Sequence, residues 1–296
     1  MGLGEADPEV NPFATAVLPH LTTLFGPDWY LAGAGLRQNA RASLIPTDAN
    51  LGLPGRPQSA TGQATILTGR NVPALIGQHY GPKPNEAIAQ IVRQGTLFQE
   101  VTAVAQRAAL LTPYPEEFFA AVENGRRLLS TVPLAAASAG LPLRTADDLR
   151  NGRAVSPDFT AAGWRSHLGY EDMPLLTLAG AGARLAELAQ GHQFSFFEHW
   201  PSDVRGHRGP LAEAAAHLET IDAVLGGLLD AWDDANGLLI ITSDHGNIED
   251  KNSRSHTRNP VPTILVGADH IALSTQIRDL SDIAAVVRAA LGLPVK

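Results

Sequence analysis

Apolar and polar positions along the chain alternate between short apolar runs of strand length and longer stretches of helical periodicity. The runs at 194–197, 239–241 and 262–267 are aliphatic or aromatic and bounded by polar or turn-forming residues, which predicts strands. Residues 28–34 and 97–104 read as two further strands. In 85–93, Ile88, Ile91 and Val92 fall on one face at helical spacing and predict an amphipathic helix. Helices are also predicted over 63–67, 116–130, 133–140, 180–190, 281–291 and, the longest, 211–232. Strands alternating with helices predict an α/β three-layer sandwich with a mostly parallel central sheet covered on both faces. The chain of 296 residues shows no internal repeat and suits one domain over 1–296. Residues 113–173 break the alternation and predict a small, mainly helical, cap-like insertion.

Candidate chemistry clusters at the ends of the predicted strands. The run at 239–241 leads into Asp244-His245-Gly246-Asn247, and His256 returns shortly before the run at 262–267. In open α/β sheets ligands sit at the carboxyl ends of strands, and a carboxylate with two imidazoles suits zinc or manganese. The alternative is a polar turn whose histidines are satisfied by backbone groups. The run at 194–197 opens into a loop in which three residues separate Asp203 from His207, so one tight turn can aim both at a single ion. A solvated loop is the alternative there. Ser59 precedes a predicted helix and is flanked by small residues. A hydroxyl at a helix N-terminus faces free N–H groups and the positive end of the dipole, and metal coordination is one way to activate it as a nucleophile. Ser59 or Thr61 serving as the helix N-cap is the plainer reading.

These residues resemble the alkaline phosphatase superfamily, within it the cofactor-independent phosphoglycerate mutase and phosphopentomutase branch. The matching motifs are Ser59-x-x-Gly62, Gly69-Arg70, Asp203-x-x-x-His207, Ser243-Asp244-His245-Gly246-Asn247, and His256-Thr257-x-Asn259-Pro260-Val261-Pro262, in that order. The resemblance implies two divalent metal ions, manganese or zinc. Asp203, His207 and His256 would hold one ion, and Asp244, His245 and the Ser59 oxygen the other. It also implies phosphoryl transfer through a phosphoserine at Ser59, with Arg70 and the adjacent Asn71 as substrate-binding residues. An Arg70 paired with a helix carboxylate is the alternative role.

Family members open on a buried strand ending in Asp-Gly-x-Gly, whose aspartate completes the Ser59 metal site. This chain begins Met1-Gly2-Leu3-Gly4-Glu5-Ala6-Asp7, like the tail of that motif. The strand and its aspartate are therefore expected upstream of Met1, with the start mis-called and Glu5 and Asp7 as stand-ins. The second metal site is accordingly expected to be weak, empty or completed by water.

Composition narrows the partners. There is no cysteine, which removes disulfides and thiolate metal sites. A net charge of −8 argues against general nucleic-acid binding. No apolar run approaches the roughly 18 residues of a membrane span, and no leader pattern opens the chain, so a cytoplasmic protein without membrane contact is expected. Within 113–173, Arg126, Arg127, Arg144, Arg150, Arg153 and Arg165 stand against Asp147, Asp148 and Asp158. They read either as a basic lid over an anionic substrate or as a solvated helical face. The expected function is a metal-dependent phosphatase acting on a small anionic phosphate ester. The short cap favours this over a phosphomutase, which must enclose its intermediate. A metal-binding, catalytically impaired relative is the further alternative, and oligomeric state stays open.

Overall fold

The computed structural model describes residues 1–294. Six strands are formed among the described residues: β1 (Arg37–Gln38), β2 (Ala42–Thr47), β3 (Ala108–Leu110), β4 (Phe194–Phe196), β5 (Leu238–Ile241) and β6 (Val261–Gly267). Four of them make a sheet in the order β1-β2-β6-β5, with every neighbouring pair antiparallel. β2 pairs with β6 from Ala42↔Val266 to Thr47↔Val261, and β5 pairs with β6 from Leu238↔Gly267 to Ile241↔Ile264. Among the described residues only strands β3 and β4 pair in parallel, as a separate pair.

The mostly parallel central sheet expected from the alternation is therefore corrected. β5 and β6 are joined by the loop 242–260 rather than by a helix, and an antiparallel neighbour needs no crossover. β2 escaped the apolar pattern because Ser43, Pro46 and Thr47 interrupt it. Ser43 and Thr47 are nevertheless fully buried, with hydroxyls bonded to His270 Nδ1 at 2.8 Å and to Thr263 Oγ1 at 2.7 Å.

The helices run in chain order as α1 (Pro19–Phe25), α2 (Ser59–Thr68), α3 (Val72–Ile76), α4 (Glu86–Gln94) and α5 (Leu97–Ala103). Next come α6 (Glu116–Glu123), α7 (Thr131–Ser138), α8 (Ala146–Arg150) and α9 (Ala162–Leu168). The chain finishes with α10 (Leu178–Gln190), α11 (Pro201–His207), α12 (Leu211–Ala231), α13 (His270–Ser274) and α14 (Asp282–Leu291). Two predicted strands are absent. Residues 97–104 are largely α5, because Leu97, Phe98 and Val101 bury one helical face. Residues 28–34 form turns, with Asp28 at φ 59° and a single bridge from Leu31 to Gly4. The helix predicted to reach residue 130 stops at Glu123, where Asn124 and Gly125 turn the chain, Gly125 at φ 68°.

Side chains alternate across the sheet. Ala42, Leu44, Ile264 and Val266 pack with residues of α1, α10 and α12, whereas Ile45 and Leu265 pack with residues of α13 and α14. Each fully buried Leu or Ile contributes roughly 1.5–3 kcal/mol. Residues of α2, α4, α5, α7 and α14 form another cluster with Ala108, Leu110 and Phe194 of the parallel pair. β4 and β5 each have one strand partner among the described residues, so each leaves an edge unpaired.

Within 113–173, Ala146, Leu149, Ala154, Ala161, Trp164 and Met173 bury a small cluster of their own. Four of the six arginines there are held by neighbours, whereas Arg126 and Arg127 are exposed, with Arg127 lying over the Phe118 ring. Arg150 pairs with Asp147 and Asp172, Arg153 and Arg144 pair with Asp148, and Arg165 donates to the Met173 carbonyl at 2.6 Å. No helix among the described residues is long and apolar enough to cross a membrane.

This topology brings three chain segments to one edge. β2 and β5 are both antiparallel to β6, so they point the same way. Ser59 lies after β2, Asp244 after β5, and His256 just before β6 sets out from the same end.

Candidate metal centre and nucleophile

Ser59 is the first residue of α2 and not its N-cap, which is Gln58. No side chain caps that helix, and the Tyr80 carbonyl takes the Thr61 N–H at 3.1 Å, so Ser59 sits at the positive end of α2. The Ser59 Oγ lies 3.0 Å from His245 Nε2. Gly62, one turn along, allows α2 to press against the loop after β5. A Cβ there would stand 2.6 Å from the Asp244 carbonyl oxygen. Gln63 Nε2 donates to Asp244 Oδ2 at 3.0 Å, so α2 holds both the nucleophile and a carboxylate in place. Asp244 Oδ1 is 3.6 Å from His245 Nε2.

The second group is supplied by α11 and the loop before β6. Asp203 Oδ1 lies 3.4 Å from His207 Nε2 and 3.5 Å from His256 Nε2, and the two Nε2 atoms are 3.2 Å apart. His207 Nδ1–H donates to the Arg254 carbonyl and His256 Nδ1–H to the Pro57 carbonyl, each at 2.7 Å. Those bonds turn both Nε2 atoms toward the Asp203 carboxylate. One carboxylate oxygen and two imidazole nitrogens converging in this way are a donor set suited to a divalent cation. Tetrahedral coordination at about 2.0–2.1 Å needs donor separations of roughly 3.3–3.4 Å, so this triangle fits a divalent ion such as zinc. The His245 ring stacks on His256 at 3.6 Å between centroids, and its donor joins those of Asp203 and His256 in a cluster within 4.8 Å.

Electrostatics agree with that grouping. Burial works to raise the Asp203 carboxyl, but the His256 hydrogen bond, the nearby His245 and the Asn247 amide hold it well below the usual carboxylate range. Burial works against charge on His256, yet Asp203 and the Pro57 carbonyl raise it above an ordinary histidine. His245 is lowered, by burial first, against the pull of Asp244.

Asn247 Nδ2 donates to Asp203 Oδ1 at 2.5 Å and to the Asp203 carbonyl at 3.1 Å. Gly206 leaves the space that the Asn247 amide occupies. Glu249 escaped the sequence reading. Its buried carboxylate accepts from the Gly2 N–H at 2.6 Å and the Asn247 N–H at 2.8 Å, and also from Thr257, tying the loop after β5 to the loop before β6. A charged residue in a polar loop gives no signal of burial. Glu198, after β4, also went unread. Tyr114 donates its hydroxyl to Glu198, and burial together with Asp244 pushes that carboxyl up to about 7 despite the Tyr114 bond.

Two predicted substrate residues are not brought to this site. Arg70 follows the C-terminus of α2, about 15 Å along the helix from Ser59 at 1.5 Å per residue, and donates to Gln94 Oε1 at 3.1 Å. Asn71 caps α3 through the Ala74 N–H and donates to the Leu51 carbonyl. Gly69 ends α2 in the left-handed conformation, so both residues follow the end of the helix opposite to Ser59. The candidate stand-ins Glu5 and Asp7 are exposed, and Asp7 Oδ1 accepts from the Glu9 N–H. The α-amino group of Met1 instead donates to Ser243 Oγ at 2.7 Å and to the His245 carbonyl at 2.8 Å.

Comparison with known proteins places this arrangement. The metalloenzyme superfamily model matches residues 174–295, the segment that carries Asp203, His207, Asp244, His245 and His256. A 2,3-bisphosphoglycerate-independent phosphoglycerate mutase of Thermomicrobium roseum is 36% identical over 121 residues, covering 37% of this chain and 23% of that protein. The corresponding protein of Syntrophotalea carbinolica is 38% identical over 97 residues, covering 31% and 19%. The matches thus span only about a fifth to a quarter of those relatives. Among solved structures, the alkaline phosphatase of the Antarctic bacterium TAB5 superposes with a TM-score of 0.51 at 11% identity, over 86% of this chain and 89% of that one, a likeness of fold. Residues 174–295 are thus similar to the metalloenzyme superfamily, and the stretches matched in phosphoglycerate mutases agree with the resemblance read from the motifs.

Proposed function

We propose that the chain is a metal-dependent phosphoryl-transfer enzyme that hydrolyses a small phosphate ester through a phosphoserine at Ser59. The supporting observation is the approach of Ser59 Oγ to His245 Nε2 at 3.0 Å, beside the converging donors of Asp203, His207 and His256. Asp203, His207 and His256 would hold one divalent ion and Asp244, His245 and the Ser59 oxygen a second, supplying positive charge against the phosphoryl oxygens and the attacking and leaving oxygens. Manganese and zinc both suit these donors. The Ser59 proton passes to solvent as Oγ attacks phosphorus; the ester P–O bond breaks, and the leaving oxygen takes a proton from solvent to depart as the alcohol. Water then attacks phosphorus in the phosphoserine and restores the hydroxyl. The positive end of α2 favours the negative charge brought to Ser59, and Gln63 keeps the Asp244 carboxylate turned toward the site.

A second reading, a phosphomutase, is favoured by the similarity to phosphoglycerate mutases. Turnover of p-nitrophenyl phosphate with manganese or zinc tests the first, and Ser59→Ala is expected to lower it on the order of 10³-fold or more. No turnover, or turnover that survives Ser59→Ala, overturns the proposal. Isomerisation of phosphoglycerates without phosphate release selects the mutase.

A further inference from the structure

Behind His207 lies a polar basin of about 280 Å³ lined by Gly206, His207, Arg208, Gly209, Lys251 and Arg254. A water molecule takes about 30 Å³, so the basin has room for a multi-atom group. Its arginines differ from Arg144, Arg150 and Arg153, which are paired with aspartates. Arg208 and Arg254 are exposed, and their guanidinium groups have no partner among the described residues. Lys251 Nζ is turned onto the carbonyls of Arg205, Gly206 and Arg208, the last turn of α11. It therefore acts as a fixed positive charge beneath the basin rather than as a mobile ligand. Arg205 is already paired with Glu213. The chain carries −8 overall, yet no Asp or Glu is among the residues that line this basin.

The basin is also tied to the metal centre. Arg208 is the next residue after His207, and the Arg254 carbonyl accepts from His207 Nδ1 at 2.7 Å. A group bound between the guanidiniums is thus held at a set place relative to the donors of Asp203 and His256. A carboxylate can be satisfied by one guanidinium fork, whereas two guanidiniums over a third cation match a dianionic phosphate with three terminal oxygens. We propose that Arg208 and Arg254, above the fixed charge of Lys251, form a subsite for a second phosphate group of the substrate. This rests on the phosphoryl-transfer reading and assigns its substrate class: esters carrying two phosphate groups.

The test uses the whole chain and Arg208→Ala/Arg254→Ala, which removes both side chains but keeps the carbonyl that orients His207. Inorganic pyrophosphate titrated calorimetrically into chelator-treated protein should bind about 10-fold or more weakly to the double variant, roughly 1.4 kcal/mol. Acetate should bind neither protein measurably. With metal added, KM for sugar bisphosphates should rise about 10–100-fold, given roughly 1.5–3 kcal/mol for hydrogen bonds to charged groups. Turnover of p-nitrophenyl phosphate should be unchanged. Equal pyrophosphate affinity in the two proteins overturns the subsite, as does arginine-dependent acetate binding as strong as that of pyrophosphate. Arginine-dependent pyrophosphate binding without turnover of any ester would instead leave the anion site standing and remove the enzymatic reading.

Discussion

Asn247 donates its side-chain amide to Asp203 Oδ1 at 2.5 Å, across from the loop after β5 to α11. The same oxygen lies 3.4 and 3.5 Å from the two Nε2 atoms of His207 and His256. A neutral donor thus fixes the direction of the carboxylate on which the triangle of donors depends. The Asn247 Oδ1 is buried without a partner, so the amide is held for the bond its nitrogen makes.

Asn247→Ala should therefore weaken metal binding without removing a ligand. Loss of a group that orients a ligand typically costs about 10–100-fold in affinity. Zinc titration by calorimetry, against Asp203→Asn as the ligand variant, measures it. Unchanged zinc affinity in Asn247→Ala would show that Asp203 is oriented by the fold alone.

Gly62→Ala probes the contact between α2 and the loop after β5. The added methyl would lie 2.6 Å from the Asp244 carbonyl, a backbone atom that cannot rotate away. Overpacking of this kind costs about 1–3 kcal/mol, and the shift should carry Ser59 away from His245. Melting temperature and turnover should both fall, while Gln63→Ala should lower turnover with little change in melting. If Gly62→Ala matches the parent in both, α2 and the loop are less tightly coupled than the 2.6 Å spacing implies.

The candidate cluster of Asp203, His245 and His256 was legible in the sequence because residues of metal-ligand type come in short runs that are themselves the signal. Asp203-x-x-x-His207 is one helical turn in α11, and Asp244-His245 follows directly from β5. Arg70 stands apart from Ser59 for a geometric reason. Its distance from Ser59 in sequence becomes about 15 Å once 59–68 is a helix at 1.5 Å per residue. Strand direction failed, since apolar periodicity carries no sense of polarity. The run at 262–267 was legible, but its antiparallel pairing with both β2 and β5 depends on the loop 242–260 turning back. Glu249 and Glu198 were invisible for another reason: burial of a single carboxylate is decided by tertiary neighbours, here Gly2, Thr257 and Tyr114.

The last prediction concerns acid sensitivity and comes from groups beside the centre. His199 Nε2 lies 3.0 Å from His217 Nε2, and the His199 ring stacks on Phe159. Burial, with His217 adding, pushes His199 down to about 3, against the Pro157 carbonyl. Burial and Arg205 take His217 to about 4. Both remain neutral in the folded chain as pH falls below 6.5, while the unfolded chain takes up two protons, so stability drops. Glu198, raised to about 7, works the other way. The folded chain accepts its proton near pH 7 and the unfolded chain only near 4.5, which adds stability over that window. Summed over His199, His217 and Glu198, the unfolded chain therefore binds a net one proton more between pH 6.5 and 4.5, and these three groups should lower stability by about 1.4 kcal/mol per pH unit. Glu198→Gln keeps an acceptor for the Tyr114 hydroxyl but removes the compensating proton, so its slope should steepen to roughly 2.7 kcal/mol per unit. Urea unfolding in chelator at pH 6.5, 5.5 and 4.5 reads both slopes. Equal slopes for the parent and Glu198→Gln would mean that Glu198 does not take up its proton near neutrality.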